Sequence, residues 1–210
     1  MSHAAPVPAA INPRRPMPGM GVYNLKLGMW VFLLSEVMFF TGLIGAYIIL
    51  RFSQPTAFAE PGAVLNVPLT AFNTFVLICS SVTMVKAFAA VRNGDQRGLR
   101  LWLFATVFLG AFFLSIQAIE YYLLASHGFV PTVASYAAEG GPLYGMTFYT
   151  LTGFHGAHVT VGVLALIYTS IKAFRGGYTS DELSGVEIMG LYWHFVDLVW
   201  IILFTIVYLI

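Results

Sequence analysis

The sequence predicts an all-α, polytopic membrane protein, a bundle of five transmembrane helices. Hydrophobic residues make up 59% of the 210-residue chain and charged residues only 9%, against about 25% charged residues in an average soluble domain. A soluble fold of this size cannot bury that much apolar surface. A net charge of +1 leaves no basic face for nucleic acid, and the single cysteine, Cys79, excludes internal disulfides and cysteine-based metal sites.

Long uncharged runs define the individual spans. A hydrocarbon core of about 30 Å requires about 20 apolar residues per helix. The predicted spans are 27–50, 71–91, 101–124, 144–171 and 188–210. Each span is expected to be helical, because a helix pairs its own backbone groups inside lipid. The Pro-rich, polar residues 1–24 predict a flexible N-terminal tail, and residues 25–210 a single transmembrane domain.

The basic residues predict the orientation of the bundle. Nine of the ten Lys and Arg residues fall on one side of the predicted membrane, and only Arg51 falls on the other. Because basic residues concentrate on the cytoplasmic side of membrane proteins, the N-terminus is predicted to be cytoplasmic and the C-terminus periplasmic.

Six ionisable residues lie inside the predicted spans, where each costs at least about 2.5–3.5 kcal/mol near a helix centre. Counted at 1.5 Å per residue, one group lies about 10–21 Å and the other about 25–29 Å from the cytoplasmic end. The first group, the inner cluster, is Glu36, His158, His194 and Asp197, and the second, the outer pair, is Glu120 and His155. We predict carboxyl–imidazole pairing within each group, because pairing lowers the cost of burial.

Three interpretations of this buried polar network compete. The residues join helices by hydrogen bonds, or relay protons to a partner, or bind a metal or haem. The spacing of His155 and His158 is the one metal-like signal, but di-iron bundles use a Glu-x-x-His motif on each of two helices. The pattern therefore predicts neither a metal site nor catalytic residues.

Small and aromatic residues predict packing and membrane-interface contacts. A stripe of small residues indicates close approach of helices, and aromatic residues near span ends are typical of an interfacial belt. The small residues are Gly42, Gly45, Gly153, Gly156 and Gly162, and the aromatic residues are Trp102, Tyr144, Tyr192 and Trp193.

Four motifs resemble subunit III of the haem–copper respiratory oxidases, in its five-helix bacterial form. They are the Ser-Glu helix around Ser35-Glu36, the Gln117-x-x-Glu120-Tyr121 run, the Leu-Thr-Gly-Phe-His-Gly-Ala-His-Val run at 151–159, and the Tyr-Trp-His-Phe-Val-Asp-x-x-Trp run at 192–200. They occur in the family's order, and the resemblance covers residues 25–210.

The resemblance implies a subunit that supports oxidase chemistry without carrying the redox centres. Haem and copper are then expected in partner subunits, with no cofactor bound by this chain except phospholipid. Subunit I is the expected main contact, beside subunit II and a small subunit IV, in the inner membrane of a bacterium. Glu36 corresponds to the family's buried carboxylate facing subunit I, and the chain is expected to support proton uptake and stable turnover.

Two questions stay open at the level of sequence. Glu36 together with the Leu-Thr-Gly-Phe-His run is closer to the cytochrome c oxidases than to the quinol oxidases, which are the alternative. A stand-alone transporter or proton channel would also use buried ionisable groups, but the chain has no inverted repeat and no broken helices in its sequence pattern.

Overall fold

A computed structural model describes residues 20–58, 61–129, 141–178 and 184–209. Its helices are α1 (Met20–Ser53), α2 (Pro61–Val64), α3 (Val67–Arg92), α4 (Gln96–Ser126), α5 (Gly141–Phe174) and α6 (Ser184–Leu203), which continues as a π-helical segment, Phe204–Leu209. Across those ranges there are no strands, and five helices are long and apolar enough to cross a membrane. The all-helical, five-span prediction is confirmed.

The observed helices extend beyond the predicted spans at nearly every boundary. Helix α1 begins at Met20, within the range predicted as a tail, and residues 1–19 of that tail lie outside the described residues. The last helical segment is described as far as Leu209, so Ile210, the predicted end of the final span, also lies outside them. Hydropathy locates the apolar centre of a span, whereas the helix continues into the polar interface.

Four of the long helices form a closed ring, and the fifth lies outside it. Helix α3 packs on α4, α4 on α5, α5 on α6, and α6 back on α3. Helix α1 packs on α6 and touches α5, and it is the least buried of the five spans. An ion pair between Lys26 Nζ and Glu187 Oε1, 2.5 Å apart, joins α1 to the start of α6.

A tight turn joins α3 to α4. Gly94 adopts a positive φ of 75°, which L side chains disfavour. Asp95 then caps α4, because its side chain accepts hydrogen bonds from the backbone N–H groups of Arg97 and Gly98. The turn makes α3 and α4 an antiparallel pair.

Trp193 fills the centre of the four-helix ring. Its side chain is 1% exposed, and its indole Nε1 donates a 2.9 Å hydrogen bond to Ser80 Oγ on α3. A Cβ added at Gly110 on α4 would lie 2.6 Å from the indole, and one at Gly162 on α5 would lie 2.9 Å from it. The two glycines therefore make room for Trp193, so that one α6 side chain contacts all three other helices of the ring.

The interfacial-belt prediction is wrong for three of its four residues. Tyr144, Tyr192 and Trp193 are buried between helices. Trp102 remains partly exposed, with Lys86 Nζ 4.4 Å from the centre of its ring. Position along a span gives depth but not direction, and these rings point into the bundle, where Tyr192 and Trp193 donate hydrogen bonds.

The small-residue prediction holds for Gly162 but fails for part of the stripe. Gly42 and Gly45 on α1 have open space around them, with nothing within 4 Å of an added Cβ. Helix α1 touches the ring along another face, so these glycines pack against no other helix in the part of the chain that the structure describes.

Candidate functional site

One ion pair joins α1 to α5 inside the membrane span. His158 Nε2 lies 3.1 Å from Glu36 Oε2, and both side chains are about four-fifths buried. The edge of the Phe40 ring packs against the imidazole, with the ring centres 5.1 Å apart. The structure thus brings together two members of the predicted inner cluster.

The hydrogen bonds of His158 fix how many protons this pair holds. His158 Nδ1 lies 2.7 Å from the carbonyl oxygen of Phe154, which accepts but cannot donate, so Nδ1 carries a hydrogen. The Nε2–Oε2 contact then needs one more proton, on either the imidazole or the carboxyl group. Glu36 and His158 therefore share one exchangeable proton, and transfer of this proton between them is the chemical step available at this site.

Asp197 belongs to a separate contact on the other side of α6. Ser81 Oγ on α3 donates a 2.5 Å hydrogen bond to Asp197 Oδ2, while Oδ1 is buried without a hydrogen-bond partner in the described part of the chain. His194 lies one helical turn away and interacts with Asp197 electrostatically. Between residues 20 and 209, as far as they are described, no hydrogen bond or ion pair links these groups to Glu36 or His158, so the inner cluster divides into two parts.

The predicted pairing of Glu120 with His155 is wrong. Glu120 Oε1 lies 3.0 Å from Thr70 Oγ1, and Oε2 accepts a 3.3 Å hydrogen bond from Tyr208 in the π-helical segment. The carboxyl group of Glu120, on α4, therefore links α4 to α3 and to the π-helical segment. Glu120 and His155 lie at similar depths in the membrane, but their side chains leave their helices in different directions.

His155 is enclosed by aromatic rings. It is fully buried, its imidazole stacks on the Trp200 indole with ring centres 4.8 Å apart, and the Phe113 ring meets it edge-on at 6.1 Å. Neither ring nitrogen has a hydrogen-bond partner among the residues described. A charged imidazolium would be unpaired in this position, which makes His155 a packing residue.

Sequence reasoning missed the polar face of α3. The hydroxyl groups on this face form hydrogen bonds with buried acids and indoles. Trp200 Nε1, for example, donates a 2.9 Å hydrogen bond to Thr74 Oγ1. On the same face, Asn73 Nδ2 donates a 3.1 Å hydrogen bond to the carbonyl oxygen of Phe113. The signal was present as polar residues spaced three, four and seven apart along the helix. They are Thr70, Asn73, Thr74, Ser80 and Ser81.

The arrangement does not gather the ligands of a metal ion. Over the described ranges, no group of three or more His, Cys, Asp or Glu side chains is placed to hold one. The acids instead contact a histidine, hydroxyl groups and a tyrosine, which form hydrogen bonds with them.

Fold and site together define a multi-pass α-helical membrane protein whose buried acids join its helices. Comparison with protein families identifies it further: the model of cytochrome c oxidase subunit III matches residues 20–210. The chain belongs to the cytochrome c oxidase subunit III family, whose function lies in the respiratory chain.

Individual relatives agree with this assignment over most of their length. The chain is 39% identical to a probable cytochrome c oxidase subunit 3 of Mycobacterium leprae over 186 residues, covering 89% of this chain and 88% of that one. It is 38% identical to the cytochrome c oxidase subunit 3 of Corynebacterium diphtheriae over 188 residues, with the same coverage. A cyanobacterial cytochrome c oxidase subunit 3, from Synechocystis, is 40% identical over 183 residues, covering 87% of this chain and 74% of that one.

Proposed function

We propose that this chain is the non-catalytic subunit III of a proton-pumping terminal oxidase that takes electrons from cytochrome c. The supporting observation is the family match over residues 20–210, together with relatives of nearly equal length that are named cytochrome c oxidase subunit 3. In this proposal haem and copper reside in partner subunits. A quinol oxidase is the alternative, since this subunit is not expected to touch the electron donor.

Helix α1 is the element we assign to the contact with subunit I. It lies outside the four-helix ring and leaves large apolar side chains uncovered, Val31, Leu34 and Met38 among them. Glu36 lies on the same helix and is only partly buried. Subunit I packed along α1 would cover these apolar side chains.

The shared proton of Glu36 and His158 gives the pair a role beyond packing. Intramembrane acids and histidines form proton relays when a second group lies close enough to take the proton. His158 Nε2 is such a group, 3.1 Å away. We assign the pair to support of proton uptake by subunit I and to maintenance of activity during sustained turnover.

Phospholipid is assigned to the groove between α1 and α5. This groove has a volume of about 180 Å³ and is lined by Leu43, Ala46, Met146, Thr147 and Thr150, among others. Both threonine hydroxyls donate to carbonyl groups of their own helix. The wall is thereby apolar, which suits an acyl chain.

The proposal places the chain in the inner membrane of a bacterium, with the N-terminus cytoplasmic and the C-terminus periplasmic. The distribution of Lys and Arg supports this orientation. Subunit II and a small subunit IV complete the proposed complex.

Removal and return of the chain tests the proposal. The oxidase is purified through a tag on this chain, part of the preparation is stripped of the chain with detergent, and dioxygen consumption is followed with reduced cytochrome c and with a quinol. We expect the stripped enzyme to start at the same rate as the intact complex but to lose activity sooner. Adding the chain back is expected to restore the longer active lifetime. Immediate loss of dioxygen reduction would contradict a supporting role, and oxidation of quinol alone would identify a quinol oxidase.

A further inference from the structure

A second groove lies between α4 and α5, on the opposite side of α5 from the groove assigned to phospholipid. Its volume is about 330 Å³, and its wall includes Gln117 and Ala118 from α4 and Gly153, Gly156 and Thr160 from α5. The small residues remove side chains from this wall, so another backbone can approach closely. Gly156 and Thr160 also have the four-residue spacing that is common where membrane helices pack together.

Gln117 supplies an observation independent of the small residues. Its side chain is 5% exposed, and its Nε2 donates a 3.1 Å hydrogen bond to the carbonyl oxygen of Thr152. Its Oε1 is buried and has no hydrogen-bond partner within the described ranges. An added Cβ at Gly156 would lie 3.3 Å from this oxygen, so the glycine holds open the space beside it. A buried acceptor without a partner is unfavourable.

The depth of Gln117 decides what kind of group can reach its Oε1. Gln117 lies nine residues before the end of α4 at Ser126, which is about 14 Å along the helix and inside the hydrocarbon region. Lipid headgroups do not reach that depth. Acyl chains do, but they have no N–H or O–H group to donate. A transmembrane helix with a polar side chain has both the reach and the donor.

We propose that the α4–α5 groove, lined as described above, is the docking site for a transmembrane helix of another oxidase subunit. That helix places a small-residue face against Gly153 and Gly156 and donates a hydrogen bond from a hydroxyl or amide side chain to Gln117 Oε1. The terminal torsion of glutamine is broad, so a small rotation of the amide turns Oε1 toward the incoming donor. The inference rests on the proposed function, because the partner is a subunit of the same complex.

Site-specific photo-cross-linking in the assembled complex tests the assignment. A diazirine amino acid replaces Leu114, which also lines this groove, and the complex is irradiated in native membranes, purified and analysed by peptide mass spectrometry. We expect an adduct in a membrane span of another oxidase subunit, within one turn of a side chain bearing N–H or O–H. Adducts with lipid alone, or with a second copy of this chain, would overturn the assignment.

Two variants and one control make the test sharper. Gly153→Leu places a bulky side chain in the groove at a position where an added Cβ has ordinary spacing, 3.9 Å from its nearest neighbour, Tyr121 Oη. Gln117→Met removes the acceptor at similar size. We expect both to lower the cross-linked fraction at least fivefold, whereas Gly62→Leu in α2, at a glycine with nothing within 4 Å, leaves it unchanged. An unchanged yield in Gly153→Leu would contradict docking.

Haem content separates failure of this inference from failure of the proposed function. If the purified complex contains haem but position 114 links only to lipid, the docking assignment alone is wrong. If no haem accompanies the chain, the proposed function fails and the docking assignment fails with it.

Discussion

His158 Nε2 on α5 lies 3.1 Å from Glu36 Oε2 on α1, while His158 Nδ1 is held 2.7 Å from the carbonyl oxygen of Phe154. This geometry leaves one proton shared between a carboxyl and an imidazole, at a polar contact between α1 and α5. The pair attaches the outermost helix to the ring, and in the proposed function its proton moves between the carboxyl and the imidazole.

Glu36→Ala is expected to leave the oxidase assembled and initially active, but to shorten its active life during turnover. The substitution removes the proton acceptor and leaves His158 Nε2 without its partner. Dioxygen consumption followed over many turnovers measures the effect, and Glu36→Gln, which keeps a hydrogen bond to His158 but cannot exchange a proton, is the matched control. An immediate and complete loss of activity would mean that Glu36 is essential rather than supporting.

Replacement of both His155 and His158 by Leu is expected to weaken retention of the chain in detergent while leaving the haem spectrum unchanged. His158→Leu breaks the contact with α1, and His155→Leu removes a ring stacked on Trp200. The fraction of the chain that remains with the haem-containing complex after size exclusion gives the retention. Altered haem bands would indicate that these residues ligate haem.

Gly110→Ala is expected to destabilise the bundle by about 1–3 kcal/mol, in the range of overpacked cores. The new methyl group would lie 2.6 Å from the Trp193 indole, which is fixed by its hydrogen bond to Ser80. Gly62→Ala in α2, with nothing within 4 Å of the added Cβ, is the control and should cause no loss. Thermal unfolding of the purified complex in mild detergent measures both; equal stability of the two variants would contradict the packing described for Trp193.

Ser81 and Asp197 are expected to show a coupling energy of about 0.6 kcal/mol, and at most about 1.7, as for other hydrogen bonds between membrane helices. Their side chains are 2.5 Å apart and join α3 to α6. A double-mutant cycle with Ser81→Ala and Asp197→Leu, read from the unfolding free energy in detergent, measures the coupling. Strictly additive effects would place the stabilising partner of Asp197 elsewhere.

Hydropathy and charge were sufficient to predict the five spans, because span length is set by the bilayer and not by neighbouring helices. They were not sufficient to predict which buried polar residues meet. His155 and His158 are three residues apart, which separates their directions by about 60° around the helix. Because of this angle, His158 contacts Glu36 on α1, whereas His155 stacks on Trp200 of α6.

The partners of the buried acids could not be predicted from the sequence for a related reason. Depth suggested that carboxyl groups pair with imidazoles, but Glu120 and Asp197 use the hydroxyls of Thr70 and Ser81 on α3. Serine and threonine are common in membrane helices, and most of their hydroxyls bond to their own backbone. Only the spacing of the polar residues along α3 distinguished a face that receives the other helices.

The most direct test of the central claim, an oxidase subunit without redox centres of its own, is a reduced-minus-oxidised optical spectrum of the tagged chain purified from native membranes in mild detergent. We predict strong haem bands in the complex and none once the chain is separated from its partners. Haem retained by the isolated chain, or absent from the complex at the start, would contradict the account.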